Sequence, residues 1–549
     1  MFTSSPLRRR GSAIVAGLAV AGVALTGCSA QGGSDSAGTP MDWTLTDQTA
    51  APSGDIDQIT WASYSEPYSL DYAYAFDYAD NQVLANVCES LLRLNPDYSL
   101  TPSLAESFAN PTPTTWVYQI REGVKFHDGT ALTAADAVAS MSRHLDPEVG
   151  SSWYSVYQNV ASIEQTGERE VTVTTTIPDS QFNLGMGGAA GVIESAATLA
   201  KLGADYGNST GGVNCTGPMQ FDSWKSGEKI ELSRFADYWD PELAAQSEKF
   251  DFVFMADPTA RTNALKSGEV DGTWLLPMDA AQSIKKAGTG DVLFGMNTAV
   301  SNLVVSNLAG PLGDVRVRKA LLMAIDREGI LQAMNSGVGE VTDVHSTRSV
   351  WNDADPAATE AAFTDIETYP FDVAAAQKLV EEAGATGAKL KLVTAPISQD
   401  FAIVSQATAA AAKSIGLDVT IDTVTPSAYT ALFSDPSARE GVDLFYTIWY
   451  LSSPDPMEMY GVFRTDEFSN YGNWSDPDYD ALVTEAVSTM DPIKRSALAA
   501  QAQQITNREL PWLPLAETPT AMFMGDRVTG LSPSISYLYY PWAATLGAR

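Results

Sequence analysis

Between Leu303 and Tyr450 apolar and polar positions alternate in blocks of two periods. "GDVRVRKALLMAIDREGILQAMNSG" places Val317, Leu321, Ala324 and Ile325 at helical spacing. Asp314 is suited to cap its start and Gly337 to end it, so one long helix is expected. "FDVAAAQKLVEEAG" repeats the design with Asp372 and Gly384. "AKLKLVT" then alternates as a strand, "SQDFAIVSQATAAAAKSIG" returns to the helical period and "LDVTIDTV" is a second strand. "PSAYTALFSD", opened by Pro426, is a further helix, and "VDLFYTIWY" a third strand. The order β-α-β-α-β calls for parallel strands joined by right-handed crossovers. Open sheets of this kind gather ligands at the carboxyl ends of their strands. The stretch after "VDLFYTIWY" is such an end: Trp449 and Tyr450 close the strand, and "LSSPDP" follows as a turn. It reads as a ligand wall, with an aromatic cap over the sheet as the competing structural role.

The first half has a different texture. "ITWASYSEPYSLDYAYAFDYADNQV" begins as a strand and becomes a tyrosine-rich loop that includes Tyr64, Tyr68, Tyr72, Tyr74, Phe76 and Tyr78. "TTWVYQIREGVKFHDGTALT" suggests two strands with a turn at His127-Asp128-Gly129. "TAADAVASMSRHL" is an amphipathic helix capped by Thr133. "REVTVTTTIPD", "KFDFVFMAD" and "GEVDGTWLL" are strands, "PTARTNALKSG" is helical, and "PMQFDSWKSGEKIELSRFADYWD" is a hairpin turning at Lys225-Ser226-Gly227. This half is mixed α+β.

The first residues belong to export rather than to the fold. Arg8, Arg9 and Arg10 precede the short apolar run "AIVAGLAVAGVALT" and then "LTGC". The run is too short to span a bilayer and reads as a signal peptide of residues 1–27. "LTGC" resembles a lipobox, which makes Cys28 the acylated residue; an incidental cysteine after an ordinary signal is the alternative. The small polar residues that follow suggest a flexible tether over 28–55. The expected location is the outer face of the cytoplasmic membrane. Cys88 and Cys215 then lie in an oxidising compartment and invite a disulfide, with two buried thiols as the other reading.

Composition narrows the chemistry. At 549 residues the chain has room for two or three cores, and its net charge of -34 argues against nucleic acid as a partner. "GNSTG" (207–211) matches a nucleophile elbow but lacks a preceding strand. "GMGGAA" (185–190) matches a loose dinucleotide fingerprint without its βαβ context; a cleft-lining loop that includes Gly187 suits it better. His127, His144 and His345 are scattered and show no metal spacing. No pair of carboxylates is singled out for glycoside hydrolysis. No enzyme, cofactor or metal is expected.

"PSLAESF", "WVYQIREGVKFHDGTALTAADAVASMSRHLDP", "CTGPMQFDSWKSGEKIELSRFADYWD", "RTNALKSGEVD", "PLGDVRVRKALLMAIDREGI", "AAQKLVEEAG", "WYLSSPDP", "NYGNWSDPDYDALVTEA" and "ELPWLPLAE" occur in this order. Together they resemble the family-5 extracellular solute-binding proteins of ABC importers for oligopeptides, dipeptides, nickel complexes and some sugars. The resemblance runs from about Ile56 to the C-terminus. It implies an α/β, two-lobed periplasmic-binding-protein-like clamp (type II, large form) with an extra α+β subdomain in lobe one. Lobe one would take 56–296, with the subdomain at about 96–206, and regain 513–549; lobe two would take 297–512. The chain would act as a monomer with a ligand, membrane permease subunits and its lipid anchor as partners.

The family's peptide binders hold the ligand ammonium with an aspartate three residues after the tryptophan that matches Trp449. Here that residue is Ser452, which cannot neutralise an ammonium. Glu66 or Asp455 are candidates to replace it. The expected ligand wall is Tyr64, Glu66, Gly187, Trp274, Trp449, Tyr450, Ser452, Asp455 and Tyr471. A peptide is the first expectation for the ligand. An oligosaccharide or metal chelate, and a secreted hydrolase, are the alternatives.

Overall fold

The computed structural model describes residues 41–351 and 354–549. Two sheets dominate it. The first has seven strands in the order Gly290–Gly295, Thr520–Gly525, Gly272–Trp274, Ile56–Ser63, Ser247–Phe254, Lys229–Arg234 and Met219–Lys225. The second has six, in the order Glu340–Val341, Trp512–Glu517, Val300–Val305, Leu444–Trp449, Lys389–Thr394 and Asp418–Thr423. Each sheet is the centre of one lobe. A four-stranded antiparallel sheet within Ala105–Thr175, covered by the helix Ala134–Arg143, forms the extra subdomain of lobe one. It has its own apolar core, from Leu91 to Ile193.

Lobe two follows its hydropathy pattern closely. Strands Lys389–Thr394 and Asp418–Thr423 pair in parallel, and Leu444–Trp449 runs parallel to the first of these. Val300–Val305, buried along its whole length, pairs antiparallel with Leu444–Trp449 and with Trp512–Glu517. Asp372 caps Val373–Glu382, and Thr425 caps Pro426–Ser434 ahead of Pro426. In lobe one, Thr133 and Asp136 form a reciprocal capping box, and Gly227, at φ +75°, turns the hairpin between Met219–Lys225 and Lys229–Arg234.

Four expectations need correction. The long helix from Asp314 is two helices, Val315–Ala324 and Arg327–Asn335. Asp326 separates them by accepting the Gly329 amide, so an N-cap competes with continuation and wins. Leu321, Ala324 and Ile325 still enter one core. The second strand of the His127 turn shrinks to a single bridge between Lys125 and Ala131. That turn is held instead by the Cys215 segment, through His127 N to Cys215 O (2.8 Å) and His127 Nε2 to Gly217 O (2.9 Å). The tether does not extend to residue 55. From Met41 the chain is fastened to the body by Met41 N to Ser336 O, Thr46 N to Phe294 O, Thr49 N to Leu531 O and Ser53 N to Ala548 O. Met41 and Trp43 supply the apolar anchors that the small residues before them lack. Finally, Trp512–Glu517 belongs to the second sheet, so the return crossing falls between Glu517 and Thr520 rather than at 512/513.

The two crossings lie side by side. Asn297 donates to Thr518 O at 2.9 Å, and Thr520 Oγ1 donates to Met296 O at 3.1 Å. Thr347 and Ser349 of lobe two both donate to Asn297 O. The signal peptide and Cys28 lie outside the described residues. Among the described residues no helix is long and apolar enough to cross a membrane.

Cys88 and Cys215 are bonded across 127 residues of sequence. They join the end of helix Tyr78–Val87 to the segment that leads into strand Met219–Lys225. Closing so long a loop in the unfolded chain corresponds to about 4–5 kcal/mol on the chain-entropy model. The double variant Cys88→Ser, Cys215→Ser is therefore expected to lose stability of that order, read as a lowered urea midpoint with a steeper slope, because the denatured chain without the bridge exposes more surface.

Candidate functional site: the cleft at the carboxyl end of the lobe-two sheet

Strand Leu444–Trp449 ends at the seam with lobe one, and Tyr450, Leu451 and Ser452 make the contact. The Leu451 carbonyl accepts the Tyr98 hydroxyl of lobe one and also the Thr298 hydroxyl at the crossing (2.9 Å). The Tyr450 hydroxyl donates to Phe76 O (2.9 Å) and lies 3.2 Å from the Tyr539 hydroxyl. The Tyr450 ring meets Tyr78 edge-on at 5.3 Å. Gly188 completes the wall: a side chain there would sit 3.7 Å from Ser452 O. Farther along, Met490 of lobe two packs against the subdomain core.

The turn keeps its shape through Glu458. One carboxylate oxygen accepts the Ser452 amide and hydroxyl, both at 2.9 Å; the other accepts the Ser453 amide (2.7 Å) and hydroxyl (2.6 Å). Burial raises the Glu458 pKa, and these four donors oppose the rise. A carboxylate thus stands next to Ser452, but its lone pairs are committed to the turn. The spacing of Glu458 six residues after Ser452, just past the Asp455-Pro456 break, was the only sequence signal for it.

The expected wall residues divide into two groups. Trp449, half-buried against Trp512, and Tyr450 and Ser452 stand at the junction of the lobes. Tyr64 is half-buried and donates to Asp77 at 2.9 Å. Glu66 accepts Trp224 Nε1 (2.7 Å) and the Gly227 amide (3.1 Å), so it holds the lobe-one hairpin.

The remaining four are corrected by burial. Trp274 is 1% exposed and lies flat on Tyr537 at 4.0 Å, inside a cluster with Trp61 and Trp542. It backs the wall and does not face the cleft. Tyr471 stacks on Trp512 at 6.0 Å within lobe two. Gly187 is packing, since a Cβ there would come within 2.2 Å of the Leu100 side chain; its neighbour Gly188 is the cleft glycine. Asp455 pairs with Arg495 at 2.6 Å, both side chains under 10% exposed, and accepts the Met457 amide with its other oxygen.

Sequence reasoning missed the acids of lobe one. Asp77 is exposed and caps helix Tyr78–Val87 through the Tyr78 amide (2.7 Å). Its pKa is raised, first by the crowding walls, against the bonds from Tyr64 and Tyr78. Asp80, one turn on, is 1% exposed. Burial, then the charge of Asp77, raises it to about 7. The signal was present as "AFDYAD", two acids three apart after a run of aromatics, but an acid at a helix start reads first as a cap.

The other motifs settle as structure. In 207–211 the Asn208 side chain accepts the amides of Thr210 and Gly211, which makes a turn and not a strand-to-helix elbow. Burial pushes His127 and His144 down to about 4 and His345 to about 3. Among the described residues no three His, Cys, Asp or Glu side chains are grouped as metal ligands.

Two lobes joined by paired crossings, with the end of a central lobe-two strand at their seam, have the architecture of a solute-binding clamp. The model of the bacterial extracellular solute-binding proteins, family 5, matches residues 99–471, and the chain belongs to that family, the binding components of ABC importers. The glutathione-binding protein GsiB of Escherichia coli K12 is 25% identical over 470 residues, which cover 84% of this chain and 89% of the relative. Three solved structures share the fold. AgaA from A. tumefaciens R10 with agropinic acid has a TM-score of 0.78 at 22% identity, covering 90% of this chain and 99% of its own. DppA from Helicobacter pylori with the peptide STSA also has 0.78, at 19% identity, covering 90% and 98%. AppA from Bacillus subtilis with a nonapeptide has 0.77 at 22%, covering 91% and 100%.

Two outcomes test these assignments. Asp455→Asn leaves the Arg495 guanidinium buried without a counter-charge, so a loss of about 3–5 kcal/mol is expected in urea unfolding. A change in ligand affinity at unchanged stability would return Asp455 to the cleft. For Asp80 the folded pKa is near 7 against an ordinary 3.8, so the folded state keeps a proton that the unfolded chain releases. Its contribution therefore makes stability fall as pH rises from about 4 to about 7. Asp80→Asn is expected to flatten that slope and to gain on the wild type above pH 7.

Proposed function

We propose that this chain captures a small peptide-like solute between its lobes, outside the cytoplasmic membrane, and passes it to an ABC import permease. The lipid on Cys28 keeps it beside that permease, and it acts as a monomer without enzymatic turnover. The observation that carries the reading is the Trp449–Ser453 turn. It ends a central strand of lobe two, and it meets lobe one through hydroxyl and carbonyl groups as well as through aromatic rings. Such contacts are worth about 1 kcal/mol each, so the lobes can part and reclose. Trp449, Tyr450 and Tyr64 offer broad apolar contact at low entropy cost. The Ser452 hydroxyl oxygen can accept a hydrogen bond from a peptide backbone amide.

Relatives of this fold hold agropinic acid, peptides and, in NikA from Staphylococcus aureus, Ni(L-His)2. One observation favours a non-peptide ligand as the second reading. Among the described residues the carboxylate bonded to Ser452 is that of Glu458, and its oxygens are committed to the turn. Mass spectrometry of small molecules released when the purified protein is denatured distinguishes the two. Peptides in near-stoichiometric amount are expected. A sugar or a metal chelate in that amount would replace the first reading with the second, and turnover of a chromogenic peptide or glycoside would overturn both.

A further inference from the structure

The start of helix Tyr78–Val87 carries charge that the protein does not neutralise. Both bonds to Asp77, from the Tyr64 hydroxyl and the Tyr78 amide, fall on Oδ1. Oδ2 is left to the cleft. Asp80 accepts the Tyr68 amide on Oδ1 (2.6 Å), and its buried Oδ2 has no partner. Among the described residues no Lys, Arg or His forms an ion pair with either acid. Arg143 is bound to Asp71 and Glu194, and Arg261, which donates to Met255 O at 2.7 Å and leaves its buried Nε unpaired, forms no ion pair with Asp77 or Asp80.

A second feature points to the same place from the C-terminal segment. The Tyr537 hydroxyl is buried and makes no hydrogen bond, although its residue is 1% exposed. A buried hydroxyl without a partner costs about 1–3 kcal/mol, so its retention calls for a reason. The short turn Ile535–Leu538, which carries Tyr537, packs against helix Tyr78–Val87, the helix that Asp77 caps. Trp274, stacked flat behind the ring, fixes its direction. The surroundings are therefore an exposed carboxylate edge, a free phenolic oxygen and the rings of Tyr64, Tyr78 and Tyr450. Acids beside π-faces, without a resident cation, attract a positively charged nitrogen.

We propose that Asp77 and the Tyr537 hydroxyl, walled by Tyr64, Tyr78 and Tyr450, form a lobe-one subsite for a cationic nitrogen of the ligand, an ammonium or guanidinium group. Asp77 Oδ2 accepts one N–H and Tyr537 Oη another. The subsite rests on the reading that ligand binds between the lobes. It supplies the acid that the Ser452 side of the cleft does not offer. Closure brings Tyr450 of lobe two over the bound nitrogen, so charge recognition and lobe contact are coupled.

The test compares wild type with Asp77→Asn and Tyr537→Phe. Asparagine caps helices as well as aspartate, and phenylalanine removes only the hydroxyl, so both variants keep the fold. Each protein is equilibrated with a random tripeptide library, half with free amino termini and half N-acetylated and free of Lys and Arg. Retained peptides are counted by mass spectrometry. A loss of about tenfold or more in the ratio of cationic to acetylated peptides is expected for Asp77→Asn, with a smaller loss for Tyr537→Phe. Saturation-transfer NMR with ethylammonium against 1-propanol is run on the same three proteins; signal to ethylammonium is expected in wild type and not in Asp77→Asn. A library retained without preference for cationic members overturns the subsite and leaves capture of peptides standing. A preference that survives Asp77→Asn also overturns it. If no peptide is retained but ethylammonium is held through Asp77, the peptide reading fails and the subsite stands. If neither probe is held, both fall.

Discussion

The carbonyl of Leu451 is the point on which the two halves of the molecule depend. It accepts one hydroxyl from Tyr98 of lobe one and another from Thr298, where the chain first crosses between lobes. A peptide carbonyl has two lone pairs, and here one reads the hinge while the other reads the opposite jaw. For it to do so, strand Leu444–Trp449 must end where it does, and the next residues must turn at once. The Glu458 carboxylate enforces that turn by taking four donors from Ser452 and Ser453. The Asp455–Arg495 pair anchors the far side of the same turn in lobe two.

The chemistry of the lobe contact suits a clamp. Large apolar interfaces would hold the lobes shut at about 25 cal/mol per Å² of buried surface and leave nothing for a ligand to decide. Here the Trp449–Ser453 turn meets lobe one through tyrosine hydroxyls on carbonyls and one edge-on aromatic pair, with Gly188 close to Ser452. Moving such an equilibrium from mostly open to mostly closed takes about 5.5 kcal/mol of differential affinity. A ligand that completes a few buried hydrogen bonds and meets an uncompensated carboxylate can provide it. The crossings at Asn297 and Thr520 are hydrogen-bonded to each other, so the lobes can swing without losing their register.

Much of this was legible in the sequence because lobe two is built from local signals. Asp372 and Thr425 cap the helices their spacing marks, and the alternating runs become the strands expected of them. Trp449 and Tyr450 were placed at a strand end by period alone. Burial was less legible. Trp274, Tyr471 and Asp455 have the side chains of ligand contacts, but partners distant in sequence, Tyr537, Trp512 and Arg495, claim them. Asp77 was missed for the converse reason: its local role as a cap hid its place in the cleft. The break at Asp326 shows that a cap residue inside an unbroken helical period can override the period.

The central claim is that the lobes move as bodies about paired crossings and meet through the Leu451 turn. Electron-spin distance measurement between labels at Glu168 in the subdomain and Lys378 in lobe two, both exposed, addresses it directly. The account predicts one short, narrow distance for protein holding its co-purified solute. After stripping by unfolding and refolding, a longer and broader distribution is predicted, and Tyr98→Phe should lengthen it further. A single distance, unchanged by stripping and by Tyr98→Phe, would contradict it.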